Sequence, residues 1–257
     1  PTRSRTPAVI PGDAPGSELM RRVHAADPDD GMPPTQAGKV LSEASKAKHI
    51  SRSAEAIADE VVSTYPFHPR LKNLVALFKE NEKFKQTRGL MELVSRLLKS
   101  VWTRGDNDVF LIGPQHFDLS IAEVRDKLIE ISEMPDVVAK DVWDSGSAAH
   151  AQIIDLNAGN DAARQVSSLL LTASLSTAVN AIKGLTLEEI VECLVAPLQE
   201  PGKFTAAFEA LEDSAWYLHH TPEGRFYFVR QENLTKLLKS LAEGAPENKV
   251  DELIRHR

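Results

Sequence analysis

Trp216-Tyr217-Leu218-His219-His220-Thr221-Pro222-Glu223-Gly224-Arg225-Phe226-Tyr227-Phe228-Val229 places two short runs of alternating large apolar and polar side chains on either side of a turn rich in Pro and Gly. A period of two is that of paired strands, so the run predicts a hairpin closed by residues 221–224. Upstream, Thr186-Leu187-Glu188-Glu189 follows Gly184 and has Thr-x-x-Glu spacing. That is a capping box, in which the hydroxyl and the carboxylate each accept a backbone N–H left free at a helix start. It predicts a helix with Leu187, Ile190, Val191, Leu194 and Val195 inward, ended by Pro197. A second helix is expected over residues 202–211 and an earlier one from Asp161 to Thr177. Three helices followed by a hairpin describe a winged helix. The expected fold is therefore mainly α, with a winged-helix-like domain and its β-hairpin in residues 151–257.

Working outward toward the N-terminus, residues 51–150 read as a helical domain. Ser53 suits the cap of a helix with Ala54, Ile57, Ala58, Val61 and Val62 at helical spacing. Tyr65-Pro66 stops it, and Pro69 suits the first position of the next helix, with Leu71, Leu74, Val75 and Phe78 inward. A third helix is expected from Arg88 to about Trp102, its stripe being Leu90, Leu93, Val94, Leu97, Leu98 and Val101. Val109 to Ile112 suggests a brief strand or buried extended segment before Gly113-Pro114. A helix from about Ser120 to Ser132 and short helices between Met134 and Ala163 complete the domain. Residues 1–50 are rich in proline (Pro1, Pro7, Pro11, Pro15, Pro28, Pro33, Pro34) and read as a linker behind a cleavage boundary, with one short helix around Leu19, Met20 and Val23.

Composition excludes several classes. Hydrophobic residues make up 42% and charged residues 26%, as in a globular protein and unlike a disordered chain. The uncharged stretch Val166 to Ile182 holds Ser167, Ser168, Thr172, Ser174, Ser176, Thr177 and Asn180, too polar for a membrane span. A single cysteine, Cys193, rules out an internal disulfide framework and fits a reducing, cytoplasmic setting. Its apolar neighbours Ile190, Val191 and Leu194 suggest a small core residue. The net charge of −7 hides an asymmetry. Tyr65 to Arg104 carries nine Lys or Arg against three acids, whereas Gly105 to Asp213 carries six against nineteen. The basic block could face an anion or dock on the acidic one.

Catalytic motifs are missing. A nucleotide P-loop needs G-x-x-x-x-G-K-[ST], but Gly38-Lys39 precedes Val40, Gly202-Lys203 precedes Phe204, and neither has the leading glycine. No H-E-x-x-H, C-x-x-C pair or G-x-S-x-G occurs, and Ser145-Gly146-Ser147 lacks the glycines of a nucleophile elbow. His219 and His220 are adjacent on a strand, so they point to opposite faces and cannot share a metal. The expectation is a non-enzymatic chain with no cofactor of its own.

One constellation remains. In Gln86-Thr87-Arg88-Gly89, Thr87 could cap the third helix and Arg88 would then lie in its first turn, where a cation opposes the helix dipole. A phosphate held by free N–H groups, by the guanidinium and by the close approach Gly89 allows would compensate, near Lys83 and Lys85. An ion pair with a carboxylate of the acidic block would do so equally. Tyr65-Pro66-Phe67-His68-Pro69 reads as a packed turn, with Phe67 in the core and His68 capping or hydrogen-bonded.

These two motifs, together with Phe84-Lys85 ahead of the second and the Trp216 to Phe228 hairpin, resemble the prokaryotic P-loop ATPases of domain of unknown function four-nine-nine, which are associated with anti-phage defence and DNA modification. The likeness covers about Ala54 to Val229. It implies that residues 51–150 form a helical lid, that Arg88 with Thr87 and Gly89 senses nucleotide, and that an AAA+-like core binding ATP and Mg lies outside this chain. The chain would then be the lid and winged-helix part, coupling nucleotide state to a protein partner of the system. Two alternatives are a winged-helix DNA-binding module and a helical protein-interaction scaffold unrelated to ATP. For DNA, the base-reading helix offers Lys203 against Glu209, Glu212 and Asp213, which repels phosphate. Only the wing, with His219, His220, Arg225 and Arg230 and with Lys236 and Lys239 nearby, could touch a DNA backbone. The expectation is weak DNA binding at most and no membrane contact.

Overall fold

The computed structural model describes residues 43, 46, 52–72, 87–104, 109, 111–175, 184–196, 199–236 and 238. The expected linker helix around Leu19, the side chains of Leu74, Val75 and Phe78, Lys83, Lys85, Pro197 and Lys239 lie outside them.

Helix α1, Ala54–Thr64, starts where Ser53 accepts the Ala56 N–H at 3.2 Å. Residues 69–72 are again helical, and Leu71 is buried. Helix α2 spans Thr87–Arg104 and buries Leu93 and Leu97 completely. Leu98, expected inside, is 36% exposed, because the buried face of α2 is narrower than its apolar stripe. The described residues Val109, Leu111 and Ile112 form no strand. Instead Ile112 makes one isolated parallel bridge with Phe67, while Pro114–His116 forms a 3-10 turn.

Helix α3, Ala122–Ser132, is followed by the short α segment Pro135–Val137, which runs into a π-helical turn, Val138–Val142. Helix α4, His150–Ala158, ends at Gly159, whose φ of 66° is a left-handed value that glycine adopts without strain. The start of helix α5, Ala162–Ala173, is capped from across this turn. Asp155, in the last turn of α4, accepts the Ala163 N–H at 2.7 Å and the Arg164 N–H at 3.2 Å. A carboxylate there also meets the positive end of the helix dipole.

Helix α5 is the hub. Val166, Leu169, Leu170 and Leu171 are all fully buried, and the helix packs against α4, the 3-10 turn and the C-terminal elements. Its polar side chains are satisfied inside, Ser168 donating to the Phe117 carbonyl at 3.1 Å and Thr172 to the Leu169 carbonyl at 2.8 Å. That bonding is what lets so polar a helix lie buried.

Helix α6, Leu187–Leu194, opens with the expected capping box: Glu189 N–H donates to the Thr186 hydroxyl at 3.2 Å, and Thr186 N–H donates to the Glu189 carboxylate at 3.0 Å. Helix α7, Gly202–Ser214, buries Phe204, Phe208 and Leu211, each worth about 2 kcal/mol in area removed from water. Strands β1, Leu218–His220, and β2, Phe226–Phe228, pair antiparallel with Leu218 opposite Phe228. Leu185 adds a single antiparallel bridge to β2 through Phe226. The chain is thus mainly helical with one small hairpin, which follows α5, the Leu185 segment, α6 and α7. One buried cluster runs from Leu71 through Leu128 and Leu170 to Phe228, so Leu71, α2 and α3 share a core with the described elements of residues 151–257.

Candidate functional site

Arg88 lies in the first turn of α2, and that turn contains no acidic residue. The side chains of Thr87 and Arg88 lie outside the described residues; Gly89 is half-buried. The body of the helix is held firmly. Arg96 donates to the Glu123 carbonyl at 2.7 Å and to the Glu92 carboxylate at 2.6 Å, and the buried Ser100 hydroxyl contacts the His116 carbonyl at 3.2 Å.

The region of α7 and the hairpin offers little to a nucleic acid. The outward face of α7 is Ala206, Glu209 and Asp213, and Lys203 lies over the Phe204 ring at 4.8 Å. Its fixed charge repels phosphate. In the hairpin, Arg225 donates to the Gly184 carbonyl at 2.9 Å and to Glu189 at 2.6 Å, while Arg230 pairs with Glu133. The His219 ring meets the Gln231 carbonyl at 2.8 Å, and His220, exposed, meets the Thr221 carbonyl at 3.2 Å. Hence the wing cations are turned largely to internal use.

Around α6, sequence reasoning missed a charged network. Glu189 serves the capping box and also receives Arg225 and Arg70, the latter at 3.3 Å. One turn on, Glu192 pairs with Arg52 at 2.9 Å, and Arg52 also reaches Glu60 at 2.6 Å. Burial pushes the Glu192 carboxyl above its ordinary range, against the opposing pull of Arg52. Cys193, next in sequence to Glu192, is buried near Arg70, and burial pushes its thiol up to about 11. It is an inert core residue. His68 is 5% exposed, and its Nδ1 accepts the Arg70 N–H at 3.1 Å. Burial, with Arg70 beside it, pulls its pKa down to about 4, so the imidazole is neutral and acts as a cap for residues 69–72.

A second feature without a sequence signal is Asp141. Its carboxylate is completely buried in the π turn and accepts the Trp216 N–H at 3.0 Å, the Tyr217 N–H at 2.7 Å and His150 Nδ1 at 2.7 Å. Hydrogen-bond partners thus meet the buried carboxyl group on both oxygens. It ties the start of the hairpin to the π turn, and His150 closes the assembly with its ring 5.6 Å from that of Trp216. The Ser145-Gly146-Ser147 loop is likewise structural, since Asp144 accepts the Gly146 and Ser147 N–H groups at 2.9 and 2.7 Å. Among the described residues no cluster of His, Cys, Asp and Glu is arranged to hold a metal, and no helix is long and apolar enough to cross a membrane.

Fold and site together define a mainly helical chain with one small hairpin, in which the described arginines around α6 and the hairpin bind carboxylates of the same chain. A family model described as the DUF499 second domain matches residues 19–183, and the chain belongs to that family. No curated protein and no solved structure matches it.

Proposed function

We propose that this chain is the non-catalytic lid and winged-helix part of a larger P-loop ATPase of an anti-phage or DNA-modification system, and that it couples nucleotide state to a protein partner. The observation that carries this reading is the continuity of one core from α2 to the hairpin. A push on the first turn of α2, which holds Arg88 and no acidic residue, would pass through α3 and the 3-10 turn into α5 and from there to β2, with Asp141 tying the start of the hairpin to the π turn. A body so packed moves as a unit, as rigid-body switching requires. In this reading Arg88 meets a γ-phosphate that the ATPase core, outside this chain, presents with Mg, and it contributes as a charge contact. The acidic outer face of α7 and the internally engaged wing arginines favour a protein partner over DNA. The test is amide exchange on the protein that joins this chain to its ATPase core, with and without a non-hydrolysable nucleotide. Protection of the first turn of α2 on nucleotide binding is expected; an unchanged α2 would contradict the proposal.

A further inference from the structure

We infer that α1 is a reversible strap, docked on α6 as a unit separate from the main core, whose opening uncovers an apolar strip of Leu187, Val191 and Val195 without unfolding the rest of the protein. This goes beyond the coupling role and does not depend on it.

The packing gives the first reason. Among the described side chains of α1 only Ile57 and Val61 are buried, and they join Val191 in a small cluster apart from the one that holds the other helices together. Leu187, Val195 and Leu111 border it, half-buried, and of these Leu187 also packs against the main core. Of the other described α1 side chains, Ala56, Asp59, Glu60, Val62 and Ser63 face solvent. Elements with few buried apolar contacts open first.

The polar tie is equally local. Arg52, 43% exposed, bridges Glu60 of α1 and Glu192 of α6, whose side chain is 11% exposed. Immediately downstream the chain is anchored elsewhere. His68 N–H donates to the Ile112 carbonyl and Ile112 N–H to the Pro66 carbonyl, both at 2.9 Å, and Leu71 enters the main core. The turn also holds Thr64, whose carbonyl accepts the Phe67 N–H at 2.9 Å and whose hydroxyl donates to the Phe67 carbonyl at 2.8 Å, so the hinge lies just before Thr64, between a lightly held helix and a firmly held turn. An isolated helix of 11 residues is below the length that is stable in water. An undocked α1 therefore loses its backbone hydrogen bonds, and its amides report the opening.

Hydrogen exchange by mass spectrometry on the whole chain tests this. The α1 amides are expected to exchange roughly a hundredfold or more faster than those of α5. Arg52→Gln, a change at an exposed position that spares folding, should speed α1 about threefold to tenfold and leave α5 unchanged. In a Cys193→Ser background, a thiol placed by Val195→Cys should react with a maleimide faster when Arg52→Gln is added. Equal exchange of α1 and α5, an equal effect of Arg52→Gln on both, or no effect on α1 or on the thiol would overturn the inference.

Discussion

Replacing Asp141 by alanine removes an acceptor that three donors share. The Trp216 N–H, the Tyr217 N–H and His150 Nδ1 all point at a carboxylate that water does not reach, since Asp141 is 0% and Tyr217 6% exposed. A buried N–H left without a partner costs about 1–3 kcal/mol, and breaking a buried charged network costs about 3–5 kcal/mol in total. We therefore expect Asp141→Ala to destabilise the chain by about 3–5 kcal/mol, a fall in melting temperature of roughly 10 °C for a protein of this size. Asp141→Asn keeps the volume and one acceptor oxygen but turns an NH2 group toward one side of the site, so its cost should be smaller, about 1–3 kcal/mol. Urea unfolding followed by circular dichroism measures both, and amide exchange at Trp216 and Tyr217 localises the damage. A loss below about 1 kcal/mol for the alanine variant would refute the reasoning, because it would mean that the hairpin does not depend on this carboxylate.

Three further outcomes follow from the same structure. His68 titrates at about 4 in the folded protein against an ordinary 6.5, so its contribution is complete above pH 6.5 and drains away as pH falls toward 4. The shift is worth roughly 3 kcal/mol, and His68→Gln should lose that part of the acid sensitivity in urea titrations at pH 7 and pH 4; equal sensitivity in both proteins contradicts the assignment. Gly184→Ala puts a Cβ at a φ of 75° and against the Phe226 carbonyl, so it should cost more than about 2 kcal/mol by thermal unfolding; a neutral effect would mean that the Leu185–Phe226 bridge is dispensable. DNA binding by fluorescence anisotropy should be micromolar or weaker, salt-sensitive and independent of sequence, and a nanomolar specific site at physiological salt would reverse the preference for a protein partner.

Elements written in neighbouring residues were legible. The Thr186-Glu189 capping box, the Ser53 cap and the hairpin around Gly224 each rest on side chains within a few positions of the backbone groups they satisfy. The stripe of α2 was read too wide at Leu98, because periodicity marks an apolar face without saying how far the core extends across it. Asp141 could not have been found this way. Its two hairpin partners are 75 and 76 residues away, and the turn that carries it breaks the helical period. Arg225 has the same difficulty in reverse: an arginine beside a hairpin turn reads as a free wing cation until the fold brings Glu189 to it. Arg88 was singled out by its place near a helix start, and the structure puts it in the first turn of α2.

The most direct test of the central claim compares Arg88→Ala in this chain alone and in the complete protein that carries the ATPase core. If Arg88 reaches a nucleotide only when that core presents it, the variant should leave the melting curve of the isolated chain within about 0.5 kcal/mol of the parent. In the complete protein it should lower nucleotide hydrolysis roughly tenfold or more, as the loss of a charge contact to the transferring phosphoryl group would. A large loss of stability in the isolated chain together with normal hydrolysis per folded molecule would show Arg88 to be a structural ion-pair partner and would contradict the account.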